Sequence, residues 1–259
     1  EINEQLFCNG VEQREAKYLS TPGNEIPLTD SNKKEVAQKL AAQYIIKNEL
    51  PKKHELVKFL QTLYKNLQAI KPSTSATRKD WVDYHNYLTF SLLVYFMALT
   101  NSRPHHFIGP ANNLRSIDTI YISDKGILRP ILLPIYLQEQ FHRYAQHLLT
   151  IKQLFPQFVE QQPFLILLSA DALALNPTAK TVKAFINDIA PEFSDNILRK
   201  MFSNLMQQQG CPSNLKAVYM GHVNSGEEEG IRSPLKQEQK IYRTYLERYV
   251  ASLNLQELL

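Results

Sequence analysis

The sequence predicts a mainly helical (α+β) protein with one small antiparallel sheet. The chain of 259 residues contains only 8 glycines. This is about 3% of the chain, well below the ~7% typical of globular proteins. In most segments apolar residues recur at three- and four-residue steps, which is the period of an amphipathic helix. One pair of β-rich runs, at 117–123 and 127–133, is separated by the turn sequence Asp124–Lys125–Gly126 and predicts a β-hairpin.

The composition is that of a globular protein, with 44% apolar and 21% charged residues, and it excludes a disordered chain. Two cysteines, Cys8 and Cys211, exclude a disulfide framework and a Cys-rich zinc site. The apolar run 87–99 is too short to span a bilayer, and no leader-like segment precedes residue 1, so we expect a protein of a reducing compartment. The net charge of +4 permits a nucleic-acid partner without demanding one.

In the N-terminal part, Gly and Pro residues within 1–30 predict a loop-rich arm, and the helix that follows ends near Pro51. A clearer helix is predicted by apolar residues at helical spacing, namely Leu56, Phe59, Leu60, Leu63, Leu67 and Ile70. The polar stretch 71–75 resembles a linker. We therefore predict an N-terminal arm and helical segment at 1–75 and a second domain at 76–259.

In the second domain, a long helix is predicted from 78 to 99. It is apolar nearly all round at its end, which predicts burial of that end. The hairpin follows, and the remaining predicted helices are 136–154, 178–190, 195–209, 214–220 and a final helix opened by Ser233–Pro234. Gly210 is placed to stop the third of these helices.

Several kinds of active site are excluded by missing motifs. The adjacent rings of His105 and His106 point apart on any regular element, and the chain contains no Cys-x-x-Cys or His-x-x-x-His, so we predict no metal site. The Gly-rich loops that bind nucleotide phosphates are absent, as is the Gly-x-Ser-x-Gly turn of many hydrolases. The sequence therefore predicts no cofactor.

A set of cationic side chains is a better candidate, and it comprises Arg103, Lys125, Arg199 and His222. Both arginines adjoin strongly apolar segments, and arginine is rarely buried without a partner. The guanidinium fork matches phosphate oxygens, so these groups could bind one phosphodiester together. Structural salt bridges or snorkelling side chains are the alternative at each position.

The segments that carry these residues resemble the tyrosine recombinases, also called phage integrases. Leu99–Thr100–Asn101–Ser102–Arg103–Pro104–His105–His106 resembles the family's Thr-Gly-x-Arg-x-x-Glu box, with Asn101 in place of Gly and His106 in place of the acidic residue. By this resemblance Arg103 is the first catalytic arginine. The hairpin at 119–134 resembles the one that carries the catalytic lysine, here Lys125.

Two further boxes follow in the family's order. Asn196–Ile197–Leu198–Arg199–Lys200–Met201–Phe202 is similar to His-x-Leu-Arg-His-Thr-Phe, which makes Arg199 the second catalytic arginine and places Asn196 at the histidine position. Tyr219–Met220–Gly221–His222 resembles Leu-Gly-His, with the last cleft histidine at its end. Each box alone is unspecific, but together they cover 99–245, more than half of the chain.

The resemblance implies site-specific recombination of double-stranded DNA through a covalent 3′-phosphotyrosyl intermediate. It implies that Arg103, Arg199 and His222 bind the phosphate oxygens, and that Lys125 protonates the 5′ leaving oxygen. It further implies a bacterial, cytoplasmic protein of a mobile element, acting as a homo-oligomer on DNA, with neither a membrane nor a small-molecule substrate as partner.

The nucleophile is expected on the final helix. The first tyrosine after His222 is Tyr242, further along than in most of the family, and a Gly-flanked polar loop at 226–230 can absorb the excess. Tyr242, Tyr245 and Tyr249 share one helix face, which also suits a stripe of core residues.

Tyr242 is the predicted nucleophile and Tyr245 the second choice, whereas Tyr249, beside Val250, is assigned to the core. Tyr242 lies nearest the loop, where DNA could reach it. The cations Lys240 and Arg243 beside it would favour the phenolate.

Two other interpretations stay open. A relative that binds DNA without cutting it is motivated by Asn196 and by the tyrosine spacing. The second interpretation is a helical interaction protein that is not an enzyme, and it predicts that Arg103, Arg199 and His222 lie far apart.

Overall fold

The computed structural model describes residues 50–103, 118–124, 127–158, 165–220 and 236–259. These residues lie in one compact unit that begins at Leu50. The linker-like stretch 71–75 joins two helices of this unit. The predicted N-terminal arm and the helix that ends near Pro51 lie outside the described residues.

Seven helices and two antiparallel hairpins make up the described part of the chain, which confirms the predicted mainly helical class. The helices are α1 Lys53–Ala69, α2 Arg78–Thr100, α3 Ile135–Leu154, α4 Ala179–Ile189, α5 Asp195–Gln208, α6 Ser213–Met220 and α7 Lys236–Ala251. The strands are β1 Thr119–Asp124, β2 Ile127–Leu132, β3 Leu167–Leu168 and β4 Ala174–Leu175.

Helix α2 is the centre of the core. Thr77 caps its first turn by accepting a hydrogen bond from the backbone N–H of Asp80, whose carboxylate in turn accepts from the Thr77 N–H. Almost every residue in its last three turns is buried, as predicted, because α1, α3, α4 and α5 pack around it. The residues that directly follow α2 therefore lie in the interior as well.

Helix α1 packs on α2 through the predicted apolar face. All but one of the residues that define that face are buried, and the Tyr95 hydroxyl of α2 donates a hydrogen bond to the Leu60 carbonyl at 2.9 Å. The exception is Ile70, which is 40% exposed because the helix ends at Ala69 and Ile70 is the residue that caps it.

The predicted hairpin is confirmed, with Thr119 paired to Leu132 at its open end and Asp124 to Ile127 at its turn. The second hairpin, β3–β4, is absent from the sequence prediction. Its two-residue strands are too short to show an alternating pattern. They depend instead on Asn86, whose side-chain amide exchanges two hydrogen bonds with the backbone of Leu168, at 2.7 and 2.8 Å.

A buried pair of histidines joins α2 to α3. His85 Nε2 lies 2.9 Å from the Ile166 carbonyl, which can only accept, so Nε2 carries the proton. His85 Nδ1 is then the acceptor for His147 Nε2, 3.1 Å away. The same Ile166 carbonyl accepts hydrogen bonds from Thr89 and Tyr144. Both imidazoles are thus held neutral, each in one defined tautomer.

We expect this pair to make the protein unstable in acid. Burial lowers the pKa of His85 to about 3, with a further contribution from His147, and burial lowers the pKa of His147 to about 4. An unfolded histidine has a pKa of ~6.5, so the unfolded chain binds more protons below that pH. The stabilisation is complete above pH ~6.5 and is lost as the pH falls towards 4.

The measurement is the urea midpoint of unfolding at about pH 7.5 and about pH 5. The midpoint is expected to fall in acid, and to fall less in His147→Gln, whose amide can still donate to His85 but cannot titrate. An equal fall in the two proteins would contradict the assignment to this pair.

Candidate active site

Arg103 follows a tightly hydrogen-bonded turn at the end of α2. The Thr100 hydroxyl donates to the Phe96 carbonyl at 2.6 Å and lies 2.8 Å from the hydroxyl of Ser102. Asn101 ends the helix in the left-handed conformation, with φ 60° and ψ 27°. Arg103 itself is half-buried. His106, the predicted substitute for an acidic residue, lies outside the described residues.

Asn101 stands where the box that the sequence resembles has glycine, and its left-handed conformation suits both residue types. Glycine adopts a positive φ without steric cost, and asparagine is among the few other residues that tolerate it. Asn101 is only 1% exposed, and its side-chain amide makes no hydrogen bond within the described residues. The turn before Arg103 therefore depends on backbone conformation rather than on the Asn101 side chain.

We expect Asn101→Gly to be at least as stable as the natural protein, since it keeps the turn and removes a buried polar group. Asn101→Ala should be less stable than the glycine variant by about 1–2 kcal/mol, the cost of a left-handed alanine. Urea unfolding of the three proteins measures both differences. An alanine variant as stable as the glycine variant would show that φ is not the controlling factor.

Arg199 lies on the inward face of α5, directly after the buried Leu198, and is 8% exposed. Ser194 caps this helix by accepting a hydrogen bond from the Ile197 N–H at 3.3 Å. Asn196, predicted at the position of a cleft histidine, is exposed on the first turn of the helix and is not its cap. The structure thus buries the arginine of this box and leaves the asparagine at the surface.

Tyr242 stacks on Tyr219, with ring centroids 4.0 Å apart and planes 18° from parallel. The two rings come from α7 and α6. The sequence placed Tyr242 where DNA could reach it, but its exposed fraction is only 3%. The difference arises because α7 turns this face inward, onto α6.

The other two tyrosines of α7 have different surroundings. Tyr249 is fully buried, donates a hydrogen bond from its hydroxyl to the Ala98 carbonyl at 2.9 Å, and meets Phe202 edge to face. This is the core role predicted for it, and burial raises its pKa. Tyr245 is half-buried, with the Arg248 guanidinium 5.8 Å from its ring centre.

A small crevice lies where these segments meet. Its lining residues are Thr100, Ile131, Leu132, Phe202, Tyr219, Tyr242 and Leu246. They come from α2, β2, α5, α6 and α7, so five elements that are separated along the chain contribute to one place. The lining mixes apolar side chains with the hydroxyl-bearing Thr100, Tyr219 and Tyr242.

Some residues that line the crevice are close in the sequence to predicted site residues. Three of its lining residues lie three positions along the sequence from such a residue: Thr100 from Arg103, Phe202 from Arg199, and Tyr219 from His222. Strand β2 belongs to the hairpin that carries Lys125. Lys125 and His222 themselves lie outside the described residues.

Arg243 is the residue whose role sequence reasoning missed. It was expected beside Tyr242 as a cation that favours the phenolate, but its guanidinium is bound to Asp118 and to the Leu133 carbonyl. These partners lie more than a hundred residues away, so no local pattern signals them.

The chain matches no known family model, and neither a curated protein nor a solved structure shows significant similarity to it. Among the described helices, none combines the length and the apolarity needed to cross a bilayer. Within the same residues no three His, Cys, Asp or Glu side chains cluster as metal ligands.

Proposed function

We propose that the chain cleaves and rejoins strands of double-stranded DNA through a covalent 3′-phosphotyrosyl intermediate, in the manner of a tyrosine recombinase. The observation that carries the proposal is the crevice, because residues three positions from Arg103, Arg199 and His222 in the sequence line it together with Tyr242. A helical scaffold that is not an enzyme predicts instead that Arg103, Arg199 and His222 lie far apart. The proposed setting is a homo-oligomer on DNA in the bacterial cytoplasm.

In the proposed reaction the Tyr242 oxygen attacks phosphorus and the 5′ oxygen of the next nucleotide leaves. Arg103 and Arg199 stabilise the charge on the non-bridging oxygens, with a further hydrogen bond from His222. Lys125 supplies a proton to the leaving oxygen. The phosphotyrosyl bond keeps the energy of the broken bond, so a 5′-hydroxyl from another strand can reverse the step without ATP.

The proposal also requires a movement. A phenol that is only 3% exposed in a narrow crevice cannot approach a phosphodiester. DNA binding must therefore widen the crevice and expose the Tyr242 hydroxyl beside the two arginines. In the free protein the narrow crevice also shields the Tyr242 hydroxyl from electrophiles other than the DNA phosphate.

A selection with the full chain tests the proposal and does not require the DNA site to be known. The protein is incubated with a pool of nicked duplexes of randomised sequence, in which the nick releases the cleaved end and traps the adduct. Protein-linked DNA is recovered under denaturing conditions and sequenced, and the modified peptide is mapped. We expect DNA joined through its 3′-phosphate to the peptide that contains Tyr242.

Protein denatured before it meets the DNA serves as the background in the same selection. Recovery of no more denaturation-resistant DNA than the denatured protein gives would overturn the proposed cleavage. Enrichment of particular duplexes by native binding, without a covalent product, would instead establish the interpretation as a DNA-binding relative that does not cut.

A further inference from the structure

Arg243 of α7 closes the open end of the β1–β2 hairpin. Its Nη1 donates to the Leu133 carbonyl at 3.2 Å, and its Nη2 to the carbonyl and the carboxylate of Asp118, at 3.4 and 2.9 Å. Asp118 directly precedes β1 and Leu133 directly follows β2, and the Leu133 N–H donates to the Asp118 carbonyl at 2.8 Å. One guanidinium thus holds both strands where they enter and leave the sheet.

A second contact from the same helix reinforces the first. Glu247, one turn after Arg243, accepts a hydrogen bond from the backbone N–H of Ile135 at 3.0 Å. Ile135 is the first residue of α3, where unpaired backbone N–H groups favour a carboxylate. Residues four apart share a helix face, so α7 binds the chain on both sides of Pro134.

These contacts set the position of the hairpin relative to the proposed nucleophile. Tyr242 precedes Arg243 in the chain, and Ile131 and Leu132 at the end of β2 line the same crevice as Tyr242. We propose that Arg243 is a positioning residue, an inference that rests on the proposed function. It fixes the β1–β2 hairpin, which supplies the leaving-group proton, against α7, which carries the nucleophile.

The chemistry of the contacts explains why an arginine is needed. The Asp118 side chain is 67% exposed, so its ion pair with Arg243 contributes little by itself. The two carbonyl oxygens require donors in a planar fork, which arginine has and lysine lacks. Arg243→Lys therefore keeps the charge beside Tyr242 but loses the bridge between the strands.

The decisive test changes the leaving group. A duplex recovered in the selection above is made with sulfur in place of the bridging 5′ oxygen at the cleaved bond; the sulfur leaves as a thiolate without needing a proton. Arg243→Lys is expected to cleave the ordinary duplex about 10²-fold more slowly than the natural protein, the scale of a small misplacement of a catalytic group. It is expected to cleave the sulfur-containing duplex at nearly the natural rate. Arg248→Ala, which removes a different cation from the same helix, is the matched control and should cleave both duplexes normally.

Equal slowing of Arg243→Lys on both duplexes, or no slowing on either, would overturn the positioning role. A second measurement is independent of cleavage. Amide hydrogen exchange in Thr119–Asp124 and Ile127–Leu132 should be faster in Arg243→Lys than in the natural protein and unchanged in Arg248→Ala. Unchanged exchange in Arg243→Lys would also overturn the proposal. If the natural protein forms no covalent product with either duplex, the proposed function fails, and the exchange rates alone decide whether Arg243 fixes the hairpin.

Discussion

We expect Arg199→Ala to slow strand cleavage by about 10²–10³-fold while most DNA binding is retained. Arg199 is almost fully buried on α5, three positions before Phe202, which lines the crevice with Tyr242. In the proposed mechanism its charge acts on the phosphate oxygens, where negative charge accumulates as the tyrosine attacks. In protein–DNA complexes most of the affinity comes from many separate contacts to the DNA backbone, so one substitution is expected to remove little of it.

The measurements are single-turnover formation of the covalent adduct and binding to the same duplex at fixed salt. Lys200→Ala is the matched control, because Lys200 is the exposed neighbour of Arg199 on the same helix. Since loss of a buried side chain can also destabilise the fold, thermal unfolding is recorded for each variant. An Arg199→Ala protein that folds and cleaves at the natural rate would contradict the assignment of Arg199 to phosphate binding.

We expect Tyr242→Phe to form no covalent adduct at all, since phenylalanine lacks the attacking oxygen. Phenylalanine keeps the ring that stacks on Tyr219, so the variant should fold and bind DNA normally. The loss is then chemical and not structural. The readout is the denaturation-resistant protein–DNA product on a nicked duplex.

Tyr245→Phe is the control on the same helix face, and it should form the adduct at close to the natural rate. Tyr245 lies outside the crevice lining, beside Arg248. An adduct in Tyr242→Phe together with its loss in Tyr245→Phe would transfer the nucleophile to Tyr245. An adduct in both variants would exclude the two residues.

The local patterns that can be read from a sequence are those set by near neighbours in the chain. The apolar period predicted α1 and α2 within a few residues of their bounds, and the Asp-Lys-Gly turn predicted the β1–β2 hairpin. Gly210 ends the turn after α5 with φ +83°, as expected of a glycine at a helix end. The candidate arginines were also found locally, because each follows or interrupts an apolar run.

Contacts between distant residues leave no such pattern and were decided by the tertiary structure. The β3–β4 hairpin depends on Asn86, and the inward position of Tyr242 depends on Tyr219. The bridge from Arg243 to Asp118 joins residues more than a hundred positions apart.

The physical reason is the range of the interactions. Helical periodicity, capping and turn conformation depend on residues three or four positions apart, so they produce a recognisable pattern in the sequence. Stacking rings and a shared guanidinium require two surfaces to be packed at a fixed distance, and that distance exists only once the core has formed. The sequence by itself therefore determined the helices, the main hairpin and the candidate cations, whereas the packing of α7 on α6 and the hairpin decided which side chains surround Tyr242.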